Sequence, residues 1–200
     1  MDLATLLRAR SIRSPAGSIA TGALMDAADL DTPDLLIRRS TPADALAFAD
    51  YLRRNATHLA PFVPLRPDGH DSEPAIRERL ESTDRIQYVA MRGERLVGQC
   101  AISNVIRAPV FLSCTIGYDV DEHEQGRGIA TRLVRHVAHD ALTTHRLHRV
   151  EAGTLVSNLG SQRVLEKCGF TRIGIAPRHV RIAGRWQDHV LYVLTAEDLS

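Results

Sequence analysis

The sequence predicts a single α/β domain, with helices layered on a mostly antiparallel sheet. Three observations lead there. Stretches with apolar residues at steps of three and four alternate with short extended runs bounded by Gly and Pro. The longest helical stretch places Ile129, Leu133, Val134, Val137, Ala138, Ala141 and Leu142 on one face. A hydrophobic content of 44% over 200 residues suits one enclosed core.

Residues 1–34 read as an N-terminal extension and residues 35–200 as the domain. Leu3, Leu6 and Leu7 suggest a short helix, but residues 11–22 are small and polar, with Pro15 and Gly17, and residues 26–34 are acidic. A flexible tail and an arm that docks on the domain or a partner both fit that composition. The first strand is read at residues 35–37. Thr41 then caps a helix and Pro42 opens its first turn. Over residues 44–54 that helix turns Ala45, Phe48, Ala49 and Leu52 inward. Residues 58–69 contain Pro61, Pro64, Pro67 and Gly69 and read as a loop, in which Phe62 is either a pocket wall or a core anchor. Ser72 caps a second helix, with Pro74 in its first turn.

Residues 86–91 and 96–103 read as two strands joined by a tight turn. Residues 104–109, with Pro109, read as a connector, and residues 110–120 as the next strand. The long helix follows. Residues 145–148 turn into a strand at 149–155, and a short helix over 159–168 stops at Gly169. Residues 170–182 and 187–194 pair across Ala183 and Gly184.

Charge and cysteine usage narrow the function classes. The 25 basic and 24 acidic residues are mixed along the chain, and the net charge of +1 creates no field for nucleic acid or a membrane surface. No apolar run reaches the roughly 18 residues that read as a membrane span. Arg8, Arg10 and Arg13 are not followed by the apolar core of a signal peptide. Cys100, Cys114 and Cys168 are odd in number and lack a CxxC pair, so they read as buried thiols of a cytoplasmic protein. The nine His residues sit mostly singly and offer no spaced metal-ligand set.

The chemistry gathers at residues 119–142. A strand runs into an acidic loop, then into Gly126 and Gly128, then into the long helix. Glycines there let a ligand approach the main chain, and the first N–H groups of a helix lack internal partners. Together with the positive end of the helix dipole they make a phosphate cradle. A Walker loop is excluded because no Lys-Ser or Lys-Thr occurs, and a dinucleotide fingerprint fails at Thr131. Gln125-Gly126-Arg127-Gly128-Ile129-Ala130 instead fits Gln/Arg-x-x-Gly-x-Gly/Ala. That pattern resembles the pyrophosphate-binding motif of the GCN5-related N-acetyltransferases (GNAT). Further on, Asn158-Leu159-Gly160-Ser161-Gln162-Arg163-Val164-Leu165-Glu166-Lys167-Cys168-Gly169-Phe170 looks like the second cofactor-side segment of that family. Residues 182–191 look like the closing hairpin of its RimJ/RimL-like subgroup, the ribosomal-protein N-terminal acetyltransferases.

The resemblance implies a GNAT fold: a mixed, mostly antiparallel central sheet with a splayed parallel strand pair, here 110–120 and 149–156, and flanking helices. It implies acetyl-CoA as co-substrate, its pantetheine arm between those strands. The acceptor would be a protein or peptide N-terminus, or a small amine, and the chain a monomer or homodimer. Residues 58–70 would wall the acceptor site. A non-catalytic acyl-CoA sensor is a further reading. The main chain at Tyr118 and Val120 would pair with pantetheine. The N–H groups of Gln125, Gly126, Arg127, Gly128, Ile129 and Ala130 would hold the diphosphate, with the Arg127 side chain adding charge or lying in solvent. Asn158 would bond the pantetheine amides.

Related enzymes often carry a tyrosine acid seven residues after that asparagine, but the position here is Leu165. Ser161 would instead bond the sulfur, or cap the helix start. Glu151 is the candidate base, on the strand face it shares with Gly153, where related enzymes can carry a carboxylate; the alternative is an ion pair with Arg149 or Arg172. His179 and Tyr118 are other candidates, and Asp188 and His189 beside Trp186 would position the hairpin. With only a distant base, a peptide α-amine (pKa about 7.7–8.0) is a better acceptor than lysine (about 10.4).

Overall fold

The computed structural model describes residues 34–199. Apart from Asp34, the extension read over 1–34 lies outside them. Seven strands make one sheet: β1 (Leu35–Arg39), β2 (Ile86–Arg92), β3 (Arg95–Ala108), β4 (Phe111–Val120), β5 (Arg149–Leu155), β6 (Thr171–Ile182) and β7 (Arg185–Thr195). Their order is β1-β2-β3-β4-β5-β7-β6, and every neighbouring pair is antiparallel except β4 with β5. Five helices flank the sheet: α1 (Ala45–Arg54), α2 (Ala56–Leu59), α3 (Glu73–Glu81), α4 (Ile129–Thr143) and α5 (Leu159–Lys167). None of the described helices is long and apolar enough to cross a membrane.

One layer packs α4 and α5 against Cys100, Ile116, Val150, Ala152, Val190 and Tyr192 of the sheet. The seven α4 positions named from the sequence are all buried. The opposite face is covered by α1 and α3, with Phe48, Tyr51 and Ile76 over Val89 and Met91. Tyr51 is fully buried while Leu52, expected inward, is only partly so. Tyr51 reaches further because its hydroxyl has a buried acceptor, described below.

The expected connector at 104–109 is strand instead. A register shift between Ser103 and Ile106, with Asn104 at φ 51°, bulges β3, and pairing resumes from Ile106↔Ser113 to Ala108↔Phe111. The loop read from His58 begins with the single turn of α2.

Two features of this frame position the site. First, β4 and β5 pair only from Ser113↔Arg149 to Ile116↔Ala152. Beyond that, β4 stays paired with β3 as far as Val120, and β5 stays paired with β7 as far as Leu155. The two strands therefore part, as expected of a splayed pair, and leave a gap between residues 117–120 and 153–155.

Second, β4 ends on a knot around buried Asp121. Its carboxylate accepts the His123 N–H at 3.0 Å and Nη2 of both Arg54 and Arg95 at 3.1 Å. Asn55 joins α1 to the same loop, its Oδ1 accepting the Glu122 N–H at 2.9 Å. Burial opposes ionisation of Asp121, but the bonds from His123, Arg54, Arg95 and Asn55 outweigh it and lower the pKa to about 2.

A depressed carboxylate pKa adds stability above its unfolded value and loses it as pH falls through the folded one. Asp121→Asn is expected to lower the unfolding free energy at neutral pH by about 2–3 kcal/mol. In urea titrations that difference should shrink between roughly pH 4 and pH 2.

Candidate active site

A cleft of about 670 Å³ passes through the gap between β4 and β5. At one end lies the glycine loop. Gly126 and Gly128 both stand at φ 74°, a left-handed conformation that favours glycine, and a Cβ on either would enter open space. Gly128 is the N-cap of α4, and the first bond of the helix runs from Arg132 N–H to Gly128 O at 3.0 Å. The N–H groups of Ile129, Ala130 and Thr131 thus have no helical acceptor, and all three residues line the cleft with Gln125, Gly126 and Gly128. Thr131 adds a residue that the sequence reading used only to exclude another motif.

The side chains around this loop turn elsewhere. Gln125 Nε2 lies 2.6 Å from His58 Nε2, tying the loop to α2. Arg127 is absent from the cleft lining and donates to Glu124 at 3.2 Å. The Arg127 guanidinium is thus taken up by the buried Glu124 carboxylate, three residues back in the same loop. Only its main chain remains at the loop.

In the middle of the gap, residues 117–120 of β4 have no ladder partner on the β5 side, which leaves main-chain groups at Tyr118 and Val120 for an extended ligand. Asn158 caps α5, its Oδ1 accepting the Ser161 N–H at 3.1 Å. The asparagine thus does the capping that was the alternative role for Ser161. Ser161 Oγ instead sits 2.8 Å from the Tyr118 hydroxyl, which also donates to Ser161 O at 3.1 Å. Burial pushes the Tyr118 pKa up, only partly countered by the Ser161 hydrogen bond. Tyr118 is therefore held protonated at neutral pH, a donor and not the alternative base.

Glu151 does not line the cleft. It sits where β5 is still paired on both sides, opposite Thr115 and Val193, and its carboxylate accepts from Arg149 Nε at 2.6 Å. The gap opens only past Ala152, so Glu151 stands beside Arg149, outside the cleft lining.

Several titratable side chains not placed in the cleft from the sequence line it, and two of them carry a candidate proton acceptor in its middle. Asp119 is the first, in the cleft wall on the opposite face of β4 from Tyr118. It accepts the Tyr51 hydroxyl at 2.6 Å and Gln99 Nε2 at 3.0 Å. Burial raises its pKa above the ordinary value, against the pull of those two bonds. The second is His189, buried at the β5 edge, with Nδ1 3.1 Å from Gln187 O. A carbonyl at that distance can only accept, which places a proton on Nδ1. His179 stacks beside it at 5.8 Å between ring centroids. Asp188 accepts the Arg178 N–H at 2.8 Å and holds the β6–β7 hairpin, the positioning role expected of it. Phe62 lines the cleft and is 41% exposed, a pocket wall and not a core anchor.

The family profile described as "Acetyltransferase (GNAT) domain" matches residues 34–171. The chain is 41% identical over 125 residues to a probable N-acetyltransferase, YjcK, of Bacillus subtilis, covering 61% of this chain and 68% of that protein. It is 29% identical over 178 residues to the [Ribosomal protein uS5]-alanine N-acetyltransferase of Escherichia coli, covering 84% of this chain and 91% of that one. Among solved structures it resembles Mycobacterium smegmatis RimJ in complex with CoA-disulfide. There the TM-score is 0.74 at 28% identity, covering 82% of this chain and 83% of that one.

The glycine loop makes a direct prediction. Gly128→Ala forces a side chain into a left-handed backbone and should cost about 1–2 kcal/mol of stability. Its new Cβ also occupies the space over the helix N-terminus. In thermal melts, the upward shift given to the unaltered protein by coenzyme A should be largely lost in this variant, measured from each protein's own ligand-free Tm.

Proposed function

The chain belongs to the GNAT acetyltransferase family, and from that premise we propose that it moves the acetyl group of acetyl-CoA to the N-terminal α-amine of a protein, with ribosomal proteins as the acceptor class. The observation that carries the reading is the two-ended cleft. One end presents helix N–H groups to a diphosphate; the other opens on the α1–α3 side, where Phe62, Leu65 and Trp186 stand exposed. The β6–β7 turn approaches the loop over residues 60–72 there, with a Cβ on Gly184 placed 3.9 Å from Leu65 Cδ1. An open apolar rim suits an extended peptide better than an enclosed small amine. The relative from E. coli is named for a ribosomal-protein alanine, which supports the same class.

The site residues support direct transfer. The main chain of residues 117–120 and Asn158 orient the pantetheine arm, and the loop from Gln125 to Ala130 anchors the diphosphate. The acceptor nitrogen attacks the thioester carbonyl, the C–S bond breaks, and the thiolate leaves. Tyr118 and Ser161, hydrogen-bonded to each other and both on the cleft, supply a proton at the sulfur. Asp119 takes the proton from the amine, directly or through water. About 10% of an α-amine is already neutral at pH 7, so a modest base suffices.

Thiol release with paired peptides tests the function. A peptide with a free Ala or Ser N-terminus should turn over, whereas the same peptide blocked at Nα and bearing a lysine should not; the reverse preference refutes the reading. Asp119→Asn should lower kcat/KM by about 10²–10⁴-fold. In the unaltered enzyme kcat/KM should rise with pH through a limb lying above the ordinary carboxylate range, since Asp119 must be ionised to accept the proton.

A further inference from the structure

Three guanidiniums gather at the acceptor end of the cleft without a carboxylate to bind them. Arg66, on the exposed loop before α3, and Arg85, just before β2, line the cleft. Arg79 of α3 lies behind them, its guanidinium 5.7 Å from the centre of the Phe48 ring. Burial, then repulsion from Arg85 and Arg66, lowers the Arg79 pKa to about 10, and Arg85 is lowered by burial and by Arg66. The three are therefore close enough to feel one another.

The nearby carboxylate does not neutralise them by contact. Asp119 is filled by neutral donors, the Tyr51 hydroxyl and Gln99 Nε2. Meanwhile Nε and Nη2 of Arg79 and Nε of Arg85 are buried with no hydrogen-bond partner among the described residues. The contrast with Arg92 is instructive: its Nε and Nη2 are also buried without a hydrogen bond, yet Nη2 lies 3.2 Å from the Glu124 carboxylate. Arg66, Arg79 and Arg85 make no ion pair of that kind among the described residues. Buried cationic donors left unsatisfied are costly and in folded proteins ordinarily have an anion or water to meet. A planar fork of N–H groups matches a carboxylate best.

We propose that Arg66 and Arg85 at the cleft wall, with Arg79 adding charge behind them, form a carboxylate subsite for the acceptor, so that the enzyme prefers α-amines on peptides with an acidic side chain in the first few residues. This rests on the α-amine reading above. Asp119 and the subsite divide the work: the carboxylate receives the amine, and the arginines receive an acidic group a residue or two away. A free amino acid offers the same chemistry through its own α-carboxylate, so the test separates the two sources.

The test compares kcat/KM on peptides with a common N-terminal Ala that differ only in Glu, Gln or Lys at the second or third position, together with free alanine and free glutamate. The Glu peptide is expected to exceed the Gln peptide by about tenfold or more at low salt, with Lys lowest, and the Glu/Gln ratio should fall as salt rises. In Arg66→Gln, an exposed loop position where folding is not at risk, the ratio should approach one. Arg85→Gln supplies a second variant, checked for folding by its thermal melt. Equal rates on Glu and Gln peptides would overturn the subsite while leaving N-terminal transfer standing, as would a ratio that survives in both variants. Faster acetylation of free glutamate than of the Glu peptide would overturn the peptide assignment. If no free N-terminus is acetylated, the α-amine reading fails and the subsite with it.

Discussion

The parting of β4 from β5 is the constraint on which the rest of this structure depends. Parallel strands normally stay bonded along their length, since an unpaired main chain inside a sheet is costly. Here pairing stops after Ile116 and Ala152, and each strand is held from its outer side, β4 by β3 and β5 by β7. The gap is thus kept open by hydrogen bonds elsewhere and offers a ready-made edge to an extended ligand. An amide-bearing arm such as pantetheine would have the chemistry to take up the main-chain groups that this missing pairing leaves free.

The gap joins two chemically different faces of one sheet. On the α4–α5 side, the ends of two helices point at the cleft, and Tyr118 and Ser161 form a hydroxyl pair. On the α1–α3 side, Tyr51 and Gln99 hold a carboxylate, and arginines surround it. In the proposed reaction, donor and acceptor would enter from these opposite faces and meet in the gap. The knot at Asp121 and Asn55 fixes their relation, because it ties the end of β4 both to α1 and to the start of the glycine loop.

Sequence reasoning reached the half of the site that is local in the chain. The α4 face, the two glycines before it, Gly169 after α5 and the Ala183-Gly184 turn all rest on short-range spacing, and each lies where expected. Asn158 and Ser161 were legible for the same reason. The acceptor half was not, because it is assembled across long stretches of chain: Asp119 meets Tyr51, 68 residues away. Strand alternation alone places Asp119 on the face opposite Tyr118, but it does not say that α1 brings a tyrosine there. Glu151 shows the same limit from the other side. Strand alternation gives its face, yet only the register of three strands reveals that the gap begins two residues later, at Gly153. For Arg127 the chain order offers phosphate or solvent, and only the fold shows that its guanidinium meets the neighbouring Glu124.

If main-chain amides at the start of α4 hold a diphosphate and so aim a thioester through the gap, removing the diphosphate must weaken binding. Calorimetric titration of the protein with coenzyme A and, separately, with pantetheine, which lacks the diphosphate, tests it most directly. The account predicts one coenzyme A per chain and binding at least about 100-fold weaker for pantetheine, a difference of about 2.7 kcal/mol. Equal affinities for the two, or no heat with coenzyme A, would contradict it.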